Sequence, residues 1–270
     1  MSSRAQPPAT PLRQPRVAEM LASVLRERMM AGELTGEALT QEDLVAEFRV
    51  SRPSVREALR ILETEGLVIV RRGSAGGAIV QRPTVDAIAW TLGLVLQARQ
   101  VSVADVARTV AMIEPACAAM CARRSDRAEV VVPALRGHVV QARAVVHDGV
   151  AFARAARQWD DAIVERCGNR TMQLVAGAIT ALWTAHSTDW AAEAEAQARF
   201  PSLEHRHAGV HGMERITDAI ERGDATAAAT GLSKHLMVST RFIDTGPDHL
   251  VNVTHQRTGY APDRQGNPRI

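Results

Sequence analysis

The chain has 270 residues, 46% of them hydrophobic and 23% charged, which is ordinary for a soluble globular protein and long enough for two domains. No apolar run approaches the roughly 18 residues of a membrane span, and Ser2, Ser3, Arg4, Gln6, Pro7 and Pro8 open the chain without the apolar stretch of a signal peptide, so a cytoplasmic protein with no membrane partner is expected. The net charge of +2 is too small to argue for nucleic acid: residues 1–85 hold 12 arginines against 10 acids, so such an argument rests on placement.

Residues 1–15, rich in Pro, Ser and Gln, are expected to be flexible. Val17, Met20, Leu21, Val24 and Leu25 then repeat with helical period, and Thr40 with Asp43 forms a capping pair for a short second helix whose Leu44, Val45 and Phe48 face inward. The segment Ser51-Arg52-Pro53-Ser54-Val55-Arg56-Glu57-Ala58-Leu59-Arg60-Ile61-Leu62 places arginines at 52, 56 and 60 and apolar side chains at 55, 58, 59 and 62. Positions four apart stack on one helix face, so the arginines form a stripe away from the core. Their rigid donor forks suit phosphate oxygens and the O6/N7 edge of guanine. Gly66-Leu67-Val68-Ile69-Val70 and Ala78-Ile79-Val80-Gln81, on either side of Arg71-Arg72-Gly73-Ser74-Ala75-Gly76-Gly77, predict a β-hairpin. An arginine stripe alone is also what a solvated helix face carries; the order helix, helix, arginine-bearing helix, hairpin makes 16–83 a winged helix-turn-helix domain.

From 84 to 243 the chain reads as helix after helix, with spans predicted over 84–99, 103–124, 126–147, 150–167, 170–190, 201–222 and 224–242. Ser102, Asp126 and Asp224 are the expected N-caps, and Gly149, Gly168-Asn169 and Gly223 the breaks. A mainly α fold follows: a DNA-binding domain with a small hairpin wing, then an antiparallel helical bundle over 84–243. Residues 244–270 lack periodicity and are expected to form a flexible tail. Cys117, Cys121 and Cys167 suit buried, reduced core thiols.

Segment 17–82 resembles the winged helix-turn-helix of the GntR superfamily, carried by Gly32-Glu33-Leu34, Leu39, Leu44, Val50-Ser51-Arg52, Val55-Arg56-Glu57-Ala58-Leu59, Leu62 and Glu65-Gly66-Leu67-Val68. The resemblance implies double-stranded DNA as partner, contacted through Ser51, Arg52, Ser54 and Arg56, with Arg72 and Gly73 of the wing reaching the minor groove. Two positions depart from the pattern: Glu42 stands where some relatives carry arginine, and Arg49 replaces a common turn glycine where φ > 0 is often wanted.

The second half resembles the FCD effector-binding domain of the FadR subfamily, through Ile113-Glu114-Pro115-Ala116, Ala118-Ala119, Trp159 and Ile163 leading to Gly168-Asn169, Asp218-Ala219-Ile220 through Gly223-Asp224, and His235-Leu236. This implies a homodimeric regulator whose bundle binds a small molecule. Many relatives hold a divalent metal there with one Asp and three His. Counted by motif, those positions fall on Ala156, Asp160, Met213 and His235, so the four-ligand site is broken and no cofactor is expected, although Asp160 with His235 leaves room for weak metal binding. The family's carboxylate-binding arginine falls on Val110, two residues past Arg108. Val110, Trp159, Asp160, Met213 and His235 are the expected effector residues, and Val110, Met213 and Trp159 suggest a rather apolar ligand. His207 and His211, one turn apart, lie more than 100° from Met213 at about 100° per residue and are expected to point outward.

The expected function is a ligand-responsive transcriptional regulator: a repressor that binds a near-palindromic operator as a homodimer and is released by a small metabolite. An architectural DNA binder with a purely structural bundle is the main alternative. An enzyme is not expected, since no nucleophile, phosphate loop or intact metal cluster is visible.

Overall fold

A computed structural model describes residues 17–34, 38–70, 77–81, 83–243 and 249–253. The chain divides into two compact units, residues 1–84 and 85–270.

The first unit contains α1 (Val17–Met30), β1 (Ala38–Thr40), α2 (Gln41–Phe48), α3 (Arg52–Thr64), β2 (Val68–Val70) and β3 (Gly77–Val80). Its core joins Leu21, Ala22, Leu25 and Met29 of α1 to Leu44 of α2 and to Val55, Ala58, Leu59 and Leu62 of α3. Val17, Met20 and Val24 share the helical period but are exposed; α1 has one buried stripe, and these three lie beside it. The turn after α2 is closed by Arg49 in the left-handed region, φ 53°, ψ 41°. Gly66, φ 72°, ends α3: the Leu67 amide donates to the Leu62 carbonyl over 2.9 Å and the chain swings into β2.

The predicted hairpin is present, with β2 and β3 antiparallel and Ile69 opposite Ile79. It is part of a three-stranded sheet of order β1-β3-β2, since β1 pairs antiparallel with β3, Leu39 opposite Ala78. Gly77 permits this pairing: a Cβ there would stand 2.7 Å from the Leu39 carbonyl oxygen. The sheet has one strand more than the sequence pattern indicates, because three residues are too few to show an alternation.

The second unit is helical: α4 (Val85–Ala98), α5 (Val103–Arg123), α6 (Arg127–Val130), α7 (Val132–Ala144), α8 (Gly149–Glu165), α9 (Arg170–Ala196), α10 (Leu203–Glu221) and α11 (Ala225–Thr240). Ser102 and Asp224 cap their helices, accepting from the Asp105 and Ala227 amides at 3.2 and 2.9 Å. Asp126 does not act as a side-chain cap, because both of its oxygens are taken by Arg124 at 2.8 and 2.7 Å. The span predicted over 126–147 is correspondingly broken at Val131, and α7 restarts with proline in its first turn. Tight α5–α11, α8–α9 and α10–α11 packing surrounds a core of Leu135, Trp159, Ile163, Met213, Ile220, Leu232 and Leu236.

Part of the segment expected to be a flexible tail is ordered. The Val103 amide donates to the His249 carbonyl at 2.7 Å, Val251 donates to the Val101 carbonyl at 2.9 Å, and Val253 donates to Gln97 Oε1 at 3.1 Å. Val251 and Val253 are buried against α4 and α9, and two apolar residues two apart are enough to anchor this stretch. Residues 1–15 and the rest of 244–270 lie outside the described residues.

Candidate functional site

The first candidate surface begins at Ser51. Its hydroxyl caps α3 by accepting from the Ser54 amide at 3.3 Å, and the Ser54 hydroxyl lies 2.9 Å from it. Two hydroxyls and the positive end of the helix dipole thus meet at one place suited to a phosphate. Arg52, Arg56 and Arg60 are exposed above the buried Val55, Ala58, Leu59 and Leu62, which fix the rotation of α3. Two other arginines of this unit are already committed: Arg26 makes a two-bond pair with Glu65 at 2.8 and 2.6 Å, and Arg28 binds Glu47 at 2.6 Å. Among the described residues Arg56 and Arg60 form no ion pair, and Arg52 has only a loose partner, Glu42, at 3.6 Å. Arg72 and Gly73 lie outside the described residues, between β2 and β3.

The second candidate site is a cavity of about 780 Å³ within the helical unit. Ala156, Asp160, Met213 and His235 all line it, so the four positions picked out by motif counting share one wall. Val110 and Trp159 do not line it. Val110 is sunk in the α4–α5–α9 core. The fully buried Trp159 stands one layer behind, its Nε1 donating to Thr217 Oγ1 at 3.3 Å and its ring packed edge-on against His235 with centroids 5.8 Å apart. Arg108 is exposed and paired with Asp105. His207 and His211 are on the surface, His211 lying 3.0 Å from Glu214.

At the cavity floor stands an arginine that sequence reasoning passed over. Arg157 is buried, with Nη1 donating to Asp160 Oδ2 at 2.9 Å and Nη2 to Glu114 Oε1 at 2.9 Å and Asp161 Oδ1 at 3.4 Å. The spacing of Arg157 to Asp160 and Asp161, three and four residues on, was available as a signal; Glu114, 43 residues away, was not. Burial opposes the charge on Arg157, but the three carboxylates outweigh it and hold the guanidinium protonated. Burial also pushes Asp160 and Glu114 above the usual carboxylate range, with Arg157 pulling the other way. His235 is lowered to about 4, first by burial and then by the positive Arg157 and Arg215, so its ring is neutral near pH 7.

Among the described residues the cavity lining carries Arg157, Arg206, Arg215, Arg222 and Lys234 against Asp160 as its one carboxylate. Arg206 leaves Nε and Nη1 buried and unpartnered. Phe152, Trp190, Phe200 and Phe242 supply aromatic wall. Beside the apolar surface expected from Met213, the wall thus carries several cationic side chains, while Val110 and Trp159 lie behind it. The three cysteines are buried elsewhere in this unit; burial pushes the Cys121 thiol up to about 12, which keeps it from acting as a nucleophile.

A capped, arginine-faced helix braced by a wing, joined to a helical unit with a cavity lined by aromatic and cationic side chains, defines a DNA-binding regulator with a ligand-binding domain. Residues 17–76 match the bacterial regulatory proteins of the gntR family, and residues 105–237 match the FCD domain. The chain belongs to the gntR family and carries an FCD domain. It is 39% identical over 80 residues to the HTH-type transcriptional repressor NanR of Klebsiella aerogenes, a match spanning 29% of this chain and 30% of that protein. To NanR of Citrobacter rodentium it is 27% identical over 232 residues, 84% of this chain and 85% of that one. The solved structure of a GntR protein of Streptococcus agalactiae, 20% identical, has the same fold, with a TM-score of 0.64 over 83% of this chain and 99% of that one. No helix among the described residues is long and apolar enough to cross a membrane.

Proposed function

We propose that the protein is a cytoplasmic transcriptional repressor that binds a near-palindromic operator as a homodimer and is released when a small anionic metabolite fills the bundle cavity. The observation that carries this reading is the exposed arginine stripe on α3 with its Ser51–Ser54 cap, whereas Arg26 and Arg28 of the same domain are tied to carboxylates. Repression is supported by the relatives, which are named as repressors. Dimerisation is supported by exposed apolar side chains that a monomer has no use for, Ile88, Leu94 and Val95 on α4 and Leu174 and Val175 on α9. An anion is favoured by Arg206, Arg215, Arg222 and Lys234 in the cavity lining, since Arg157 is already paired with carboxylates.

A binding role for the cavity is supported by its hydroxyls: Ser187 and Thr188 donate to the Thr184 carbonyl, and Ser239 and Thr240 to the Leu236 carbonyl. The test is a mobility-shift titration on DNA from the chain's own upstream region, with and without a panel of small organic anions, alongside light scattering. A dimer that binds a specific site and lets go with at least one anion supports the reading. A monomer, or binding indifferent to every anion, counts against it.

A further inference from the structure

The bundle positions at which many relatives place a divalent cation do not fit one here. Ala156 offers no donor, Met213 offers a thioether unsuited to a hard cation, and among the described residues no three His, Cys, Asp or Glu side chains converge. What occupies that corner is a permanent organic cation. Arg157 binds Asp160 Oδ2 and Glu114 Oε1, each at 2.9 Å, which is the neutralisation a metal ion would otherwise supply to buried carboxylates. His235 lies beside it, buried, its ring against Trp159.

We infer that this chain has exchanged the bundle's metal for the guanidinium of Arg157, so that the effector cavity is complete without any divalent ion. The inference rests on the reading of the cavity as an effector site, and it adds that the site is built from covalently attached charge. A fixed guanidinium 2.9 Å from Asp160 Oδ2 repels an incoming dication and occupies that oxygen. The pair also leaves hydrogen-bonding capacity unused: Asp160 Oδ1 and Arg157 Nε are buried without partners on two residues of the cavity wall. An effector in the cavity therefore meets the charged Arg157–Asp160 pair in its wall and no coordinated ion.

The experiment is a titration of Zn2+, Mn2+ and Ni2+, each alone, into the full-length protein, followed by calorimetry and by thermal melting before and after dialysis against a chelator. The expected result is no saturable binding at stoichiometric metal and a melting temperature that the chelator leaves unchanged. Submicromolar binding of one equivalent per chain, lost in Asp160→Asn or His235→Ala, overturns the inference. A companion pair tests the role of the guanidinium itself. Arg157→Met, which leaves Glu114, Asp160 and Asp161 uncompensated, is expected to melt roughly 10 °C lower, with part of the loss recovered on adding Mn2+ or Zn2+, which do not move the wild type. Arg157→Lys, which keeps the charge, is expected to retain most of the stability. An Arg157→Met variant that melts like wild type contradicts the inference, as does one that no divalent ion stabilises. If Arg157→Met does not fold, the wild-type titration still decides. None of these readouts needs operator binding or a known effector, so failure here is distinguishable from failure of the proposed function.

Discussion

Replacing Arg52 by alanine removes the first member of the α3 stripe with little consequence for the fold. Its side chain is exposed, and its one partner is Glu42 at 3.6 Å, an exposed pair of the kind worth about 0–1 kcal/mol. The domain's stability is therefore expected to change by less than about 0.5 kcal/mol. The consequence for DNA is larger. With 1.5 Å of rise per residue, Arg52 and Arg60 lie about 12 Å apart along the helix, close to the width of a major groove, so one end of the stripe can reach base edges while the other meets the backbone. If Arg52 reads a base, its loss costs about 1–3 kcal/mol per half-site, roughly 5- to 150-fold, and relaxes sequence preference at that position. Arg60→Ala is expected to weaken all sequences alike and to lower the slope of log affinity against log salt by about 0.9 for each phosphate left without its arginine. Glu42→Gln, which removes the carboxylate beside Arg52, is expected to raise affinity for any duplex. The assay is fluorescence anisotropy of the purified variants on operator and scrambled duplexes at several salt concentrations, with melting curves as the folding control. Arg52→Ala binding the operator as tightly as wild type refutes the docking of α3.

Arg49→Gly relieves a left-handed backbone at φ 53° but adds freedom to the unfolded chain; the first effect is the larger, so a gain of about 0.5 kcal/mol and a rise of roughly 2–4 °C in melting of the first unit are expected, and a loss of stability contradicts this. Ala156→Phe places a ring in the cavity and is expected to leave operator affinity unchanged while abolishing release by anions, checked by mobility shift with and without the responsive anion. For His235, a folded value of about 4 against 6.5 unfolded means that the folded state resists protonation, so stability is lost as pH falls from 6.5 to 4, by about 3 kcal/mol at the limit. Asp160 and Glu114, shifted upward, work in the opposite direction, so the test is a difference: His235→Gln should lose less stability than wild type between pH 7 and 4.5 in denaturant titrations, and equal losses contradict the assignment.

The elements legible in the sequence were those specified by local chemistry. Thr40, Ser102 and Asp224 cap helices through bonds to amides three residues on, so a short window contains the whole signal. The α3 face was legible for the same reason, since four apolar residues at helical spacing determine where Arg52, Arg56 and Arg60 point. Features made by distant partners were not. β1 exists because Gly77 admits the Leu39 backbone, and the 249–253 stretch is held by Gln97, Val101 and Val103. In the cavity, motif counting placed Asp160, Met213 and His235 on one wall. It misplaced Val110 and Trp159, whose burial depends on packing between helices, and it missed Arg157, whose meaning comes from Glu114 on another helix.

The most direct measurement is selection of duplexes from a random pool by the purified full-length protein at moderate salt and without effector, followed by sequencing. The expected result is enrichment of one motif with two inverted half-sites about one helical turn apart, lost when Arg52 and Arg56 are both alanine. Recovery of unrelated duplexes, in proportion to their abundance in the starting pool, contradicts a sequence-reading role for the α3 arginines.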